Sequence, residues 1–499
     1  MSKYWVNDAA DNDWHNGLNW STELNGVGGS GVPQFDEDVY VSESGGAPCY
    51  LTADAECNRL LGQESPLYVG ANNLVCYDYL LVDTVNGFDG LIDVSDSGSV
   101  TVGGAMYIRR AGDLSFASGS ALIMNNNTGN VQLISPISYR DITIYGDFII
   151  AEGTRVRMDI PSRSSLAISV HGNFTVGLSG QFGIDARYND FSTFGSVDIY
   201  GTVYSYSTAS PWKIWSDGTK NLIMHPSGYC AANVNFYATA DTDKLSSGIW
   251  GERFYAYIYD GMTWTMPEYL IFNDNISINT TNGRFGIFSA VDESGVVDGT
   301  TNNTHITVGE DLYVRPAAGS VSGTLTTYLD GVTIEFAGEE IQIIDTDPIH
   351  NLGNLISNKT GGTIWAYSDF TCENFVGNSG NLNLGDYTMT VNNELLVNGM
   401  SSIHSGICVV GGNTLLYGTP TNTLYIKDTN FQFDSPSLGY AKYCYADQST
   451  YTGDIFMDAT HHSNVGYNVP ISGWHFCDLY WPLETPVGKF FFRKVHDHA

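Results

Sequence analysis

A short strand-and-turn unit recurs along this chain without ever repeating identically. It reads Asp141-Ile-Thr-Ile-Tyr-Gly-Asp-Phe-Ile-Ile150, Leu166-Ala-Ile-Ser-Val-His-Gly-Asn-Phe-Thr-Val176 and Ser196-Val-Asp-Ile-Tyr-Gly-Thr-Val-Tyr204, and it returns at 304–314 and 387–397. Apolar residues alternate over four or five positions, a Gly or an Asn-Asn pair turns the chain, and a second alternating run follows. One such unit cannot close a core. Stacked at intervals of roughly 20–30 residues, many of them bury a shared interior, so the expected fold is all-β: a β-solenoid in the form of a right-handed parallel β-helix. Ile142, Ile144, Ile168, Val170, Val197 and Ile199 are the expected interior of that stack.

Composition narrows the class. The chain has 499 residues, with 55 Gly and 15 Pro, and almost nowhere carries apolar residues at helical spacing. Lys and Arg total 21 against 54 Asp and Glu, a formal net charge of −33. Phosphate backbones need basic surface, so nucleic acid is excluded as a partner class. The start lacks the apolar core of a signal peptide, and no run of 18 apolar residues follows, so neither secretion by that route nor membrane insertion is expected. A composition rich in Gly, Asn, Thr and Ser nonetheless belongs to extracellular β proteins, and a virion protein assembled in a host cytoplasm satisfies both signals. The eight cysteines, at 49, 57, 76, 230, 372, 408, 444 and 477, are spaced too widely for a zinc ribbon or a redox pair. They read as reduced, buried fillers.

The opening carries a more specific pattern: Tyr4-Trp-Val-Asn, Trp14, Leu18-Asn-Trp-Ser21, the Gly-rich Gly26-Val-Gly-Gly-Ser-Gly31, Val32-Pro33 and Asp36-Glu-Asp-Val-Tyr-Val41. Physically this is a cap, with Trp5, Trp14 and Trp20 laid across the end of the first rung, which would otherwise expose apolar cross-section and strand edges. Asp8, Asp11 and Asp13 cluster there, but the Gly and bidentate Glu of a calcium loop are missing. The opening resembles an N-terminal module of tailed-bacteriophage virion structural proteins, in which a β-helix follows; similar openings occur in autotransporter-type surface adhesins. The resemblance implies a tail fibre, tailspike or other particle appendage contacting the host surface. It further implies a homotrimer, with other virion proteins and a host surface glycan as partners, and no cofactor. The alternatives are a glycan depolymerase and a structural capsid-decorating or linker protein.

Five segments are expected: a cap over 1–60, solenoid over 61–210, an aromatic-rich elaboration over 211–299, solenoid over 300–430 and an assembly segment over 431–499. The elaboration holds Trp212, Trp215, Trp250, Tyr255, Tyr257 and Tyr259. The three tyrosines alternate, so a strand would turn them to one side. Such a row suits a saccharide, a subunit interface or an inter-domain core. Hydrolysis would need paired carboxylates across a groove. The densest acids are Glu335, Glu339, Glu340, Asp345 and Asp347, with Glu340 and Gln342 read on one strand face and 345–348 read as a turn; a solvated strand face is the plainer reading. His461-His462 and His496-Asp-His498 lack a ligand-rich context, so no metal is expected. Near the end, Phe490, Phe491 and Phe492 stand between Lys489 and Arg493. Three exposed rings invite aggregation, so the segment reads as an assembly contact.

Overall fold

The computed structural model describes residues 1–41, 47–62, 65–82, 84–85, 88–89, 91–95, 97–104, 106–108, 113–116, 120–124, 130–134, 140–158, 166–184, 190–205, 211–251, 253–259, 262–272, 285–290, 294–309, 311–314, 324–346, 350–433, 438–447, 449–452, 454–458, 464–465, 474–477 and 495–496. The chain is nearly all β and forms a parallel β-solenoid of about 13 turns. It divides into two compact units, Met1–Gly251 and Glu252–Ala499.

In the first unit, from Leu91 to Ala238, the chain visits three faces in rotation. Arg140–Ile144 lies on one, Asp147–Ile150 on the next and Arg155–Met158 on the third; Leu166–Val170 then returns to the first, one rung along. Pairing is parallel and in register, Ile142 against Ile168 and Ile144 against Val170. Alternation decides which side of each strand faces inward. Ile142, Ile144, Ile168, Val170, Val197 and Ile199 all lie in the interior, as the alternation requires. Phe148, Phe174, Phe182, Phe191 and Trp212 fill the same core, with Phe174 and Phe191 centroids 4.9 Å apart in an edge-on contact. The aromatic-rich stretch after Pro211 keeps the ladder. Trp212–Ser216 pairs in parallel with Asn233–Ala238, placing Trp212 against Val234 and Trp215 against Tyr237.

The second unit stacks in the same sense with longer strands. Tyr269–Phe272, His305–Val308 and Thr333–Phe336 follow one another in parallel register. Asn354–Ala366 then pairs through 354–357 with Thr333–Phe336, and through 364–366 with Gln342–Thr346. A single strand thus covers two faces, bending between them at Gly361-Gly362. Gly362 has φ +68, and a Cβ there would sit 2.2 Å from the Glu339 carbonyl oxygen, so the corner requires glycine. Phe370–Asn383 and Thr388–Asn398 repeat this course. Further along, Asp454–Asp458 pairs in parallel with Trp474–Cys477, which is closed by an antiparallel pairing with Val495–His496.

Candidate functional site

The cap is built by the tryptophans. Ser2–Trp5 pairs in parallel with Asp38–Val41 on one side and antiparallel with the two-residue strand Trp20–Ser21 on the other. Trp5, Trp14 and Trp20 are fully buried, with centroids 5.1 Å (Trp5 to Trp20) and 4.7 Å (Trp14 to Trp20) apart in edge-on contacts. Two of the indole nitrogens are satisfied within the cap: Trp20 Nε1 donates to the Trp14 carbonyl at 2.6 Å and Trp5 Nε1 to the Ala47 carbonyl at 3.2 Å. Lys3 Nζ reaches into the Gly-rich loop and donates to the carbonyls of Ser30 and Gly31. The acids are engaged as well. Asp8 accepts from the Gly28 N–H, Asp13 from Thr52 Oγ1, and Asp11 from the amides of Asn16 and Asn19; the bonds from Asn16 and then Asn19 lower the Asp11 pKa. Carboxylates already spent on the module's own N–H and O–H groups make a lattice that fixes the loop. Among the described residues, no group of three or more His, Cys, Asp or Glu gathers to hold a metal ion.

The aromatic candidates separate by strand parity. Trp212 and Trp250 point inward and are fully buried, their indole N–H groups donating to Thr193 Oγ1 at 3.1 Å and to the Ser246 carbonyl at 2.8 Å. Neither ring offers a face to a ligand. Trp215 points outward and belongs to a column that crosses five rungs: Tyr145, His171, Phe194, Trp215 and Tyr237. Successive centroids lie 5.0, 4.5, 5.7 and 4.2 Å apart, with planes within 27° of parallel. Each pair contributes about 0.5–1.5 kcal/mol beyond area burial. Because the faces are spent on neighbouring rings, the column suits a ladder that stiffens the rungs. In the second unit Tyr255, Tyr257 and Tyr259 stand half-buried on the outward side, while Phe254, Ala256 and Ile258 face in.

The described acidic candidates lie on different elements. Glu335 lies outward on Thr333–Phe336; its carboxylate accepts from Asn358 Nδ2 at 2.8 Å and meets His305 Nε2 at 3.0 Å. Glu340 is exposed in a bend, and its backbone carbonyl accepts from Lys359 Nζ at 2.7 Å. Gln342, read from sequence as sharing a face with Glu340, is fully buried, bonded to the Val308 carbonyl at 2.9 Å and to Lys359 Nζ at 2.7 Å. Asp345 belongs to the strand Gln342–Thr346 and not to a turn, because Gln342, Ile344 and Thr346 alternate inward and the strand pairs in parallel on both sides. Glu335 aligns with Ile356 at the start of Asn354–Ala366, whereas Ile344, beside Asp345, aligns with Ala366 at its end. The two acids therefore align with opposite ends of one bent strand. Asp347 lies outside the described residues, as do Phe490, Phe491 and Phe492.

One arrangement escaped the sequence reading. Asn354-Leu-Ile-Ser-Asn358, Asn374-Phe-Val-Gly-Asn378 and Glu394-Leu-Leu-Val-Asn398 share a pattern at a constant interval, and the ladder superposes their first four positions. Their middle residues, Ile356, Val376 and Leu396, face outward in one column, and Leu415 extends it. The signal was the fixed interval itself, hidden because an outward aliphatic looks like core in a strand read alone. Compared with family models, with curated proteins and with solved structures, the chain matches none of them.

Proposed function

We propose that this protein is a virion appendage of tailed-bacteriophage type, a fibre- or tailspike-like β-solenoid that stands on the particle and contacts the host cell surface. The observation that carries the reading is the capped start of the parallel ladder: Trp5, Trp14 and Trp20 pack into one buried cluster. These are the residues through which the opening resembles the phage module. Within each unit stacked rungs make a stiff ladder, and the acidic composition keeps an edge-rich β protein apart from its neighbours. The particle's other proteins and a homotrimeric assembly belong to this proposal, as does a surface glycan on the host.

The test is retention of fluorescently labelled protein on a panel of bacterial strains. Saturable retention on a subset of strains, competed by unlabelled protein, is expected. Retention on none of them, or equal retention on all, rejects the reading. Loss of polymer viscosity on incubation with capsular polysaccharide would move the assignment to a depolymerase.

A further inference from the structure

We infer that the outward strip centred on Ile356, Val376, Leu396 and Leu415 is a binding track for an uncharged, extended polysaccharide, one residue of the polymer to each rung. The inference deepens the reading of the protein as a surface-contacting appendage and rests on it. The four side chains occupy one register position on successive strands: Ile356 pairs with Val376, Val376 with Leu396, and Leu396 with Leu415. All four are partly exposed. They are not needed for the core, because Leu355, Phe375, Leu395 and Leu416 on the same strands already fill it. An aliphatic column left on the outside of a sheet calls for an occupant.

The flanks say which occupant. On one side Asn374 Nδ2 donates to Asn354 Oδ1 at 2.7 Å, and the Glu394 N–H donates to Asn374 Oδ1 at 3.1 Å. On the other, Asn378 Nδ2 donates to Asn358 Oδ1 at 2.7 Å, and Asn358 Nδ2 donates to Glu335 Oε1 at 2.8 Å. These bonds hold the amide planes at the ladder's repeat of about 4.8 Å. Each amide carries two N–H donors and two lone pairs, so a ladder that uses one of each leaves capacity on both sides of the aliphatic column. The pattern is apolar in the middle, with neutral amides along both edges at the Ile356 and Val376 rungs and Glu394 opposite Asn398 at the Leu396 rung. A sugar ring has the complementary form: a C–H face for the aliphatic column and hydroxyls to either side for the amides. The rung spacing of about 4.8 Å is close to the length of one sugar ring in an extended chain. Charge decides between polymers. The strip is lined by amides, its carboxylates Glu335 and Glu394 can only repel an anion, and the chain carries −33, so a polyanion is disfavoured and a neutral polymer is not.

The experiment is affinity electrophoresis of the full chain in native gels containing hydroxyethyl cellulose, which is neutral, or carboxymethyl cellulose, which has the same backbone and is anionic. Retardation by the neutral polymer alone is expected. The Val376→Thr/Leu396→Gln variant should lose it at least tenfold in apparent affinity at an unchanged melting temperature. A second variant, Asn374→Ala/Asn378→Ala, keeps the aliphatic column and should lose affinity as well. No retardation in either gel, equal retardation in both, or retardation unchanged in both folded variants overturns the track. Retention on cells that is the same for the full chain and the variants also sinks the track while leaving the appendage reading standing. Retardation by the neutral polymer without retention on any strain supports the track and rejects the appendage.

Discussion

Trp212 and Trp215 share one strand, and their odd spacing sends one ring inward and the other outward. At the scale of residues, that parity decides function more than residue type does. The sequence reading grouped the tryptophans by density and so combined core with surface; counting along the strand separates them. The cysteines show the opposite case, where type alone sufficed. The seven whose side chains the structure describes are buried thiols outside any disulfide, and Cys57 and Cys76 sit in register on paired strands with sulfurs 3.8 Å apart. Burial pushes the Cys444 thiol up to about 12 and holds Cys49 and Cys372 well above the ordinary thiol value. Thiolate is the reacting species, so these groups are inert while the fold stands. At pH 8 a disulfide-exchange reagent such as DTNB should leave these seven thiols untouched in the native protein and titrate all eight after denaturation without reductant. Stoichiometric reaction of the folded protein, or fewer than eight thiols once unfolded, would sink this expectation.

Elements were legible where the interior is apolar and illegible where it is not. Leu166–Val170 and Val197–Ile199 announce themselves because every inward position is aliphatic. Gln342–Thr346 did not, because two of its inward positions are Gln342 and Thr346, and interior polar groups satisfied by Lys359, the Val308 carbonyl and the Asp369 carbonyl erase the alternation. Pro348 then drew the reading toward a turn. The long strand Asn354–Ala366 was hidden for a related reason, since Gly361-Gly362 looks like a break and is instead a corner within one strand. The corner makes a paired prediction. Gly362 needs φ +68 and its added Cβ would press on two carbonyls, at 2.2 and 2.4 Å, so Gly362→Ala should destabilise by about 1–3 kcal/mol. Gly361 has no atom nearer than 3.7 Å to an added Cβ, so Gly361→Ala should be near neutral or slightly stabilising. Chemical denaturation of both variants checks the pair; equal losses would show that the corner is not held by Gly362.

At the scale of the whole chain, a parallel stack has a problem that no rung can solve for itself, because each end presents unpaired N–H and C=O groups ready to recruit another strand. The two units each carry the same kind of stop. In the first, Trp20–Ser21 runs antiparallel against Ser2–Trp5; in the second, Val495–His496 runs antiparallel against Trp474–Cys477. Each stop is two residues long and so offers little edge of its own. The sequence showed the first because tryptophan is rare and three of them stand close together, and it showed the second only as an aromatic-dense segment, because a two-residue strand has no periodicity to read. If the N-terminal stop is what keeps the stack from growing, a chain beginning at residue 35 should still fold its rungs but lose its lid. It would expose Asp38–Val41, a strand with Val39 and Val41 buried in the intact protein. Circular dichroism of that chain should keep the β signature of the full protein, while sedimentation velocity should show species larger than those of the full chain, increasing with concentration. A truncated chain that sediments as the full protein does would mean that the tryptophan cluster stabilises the first rung without guarding its edge.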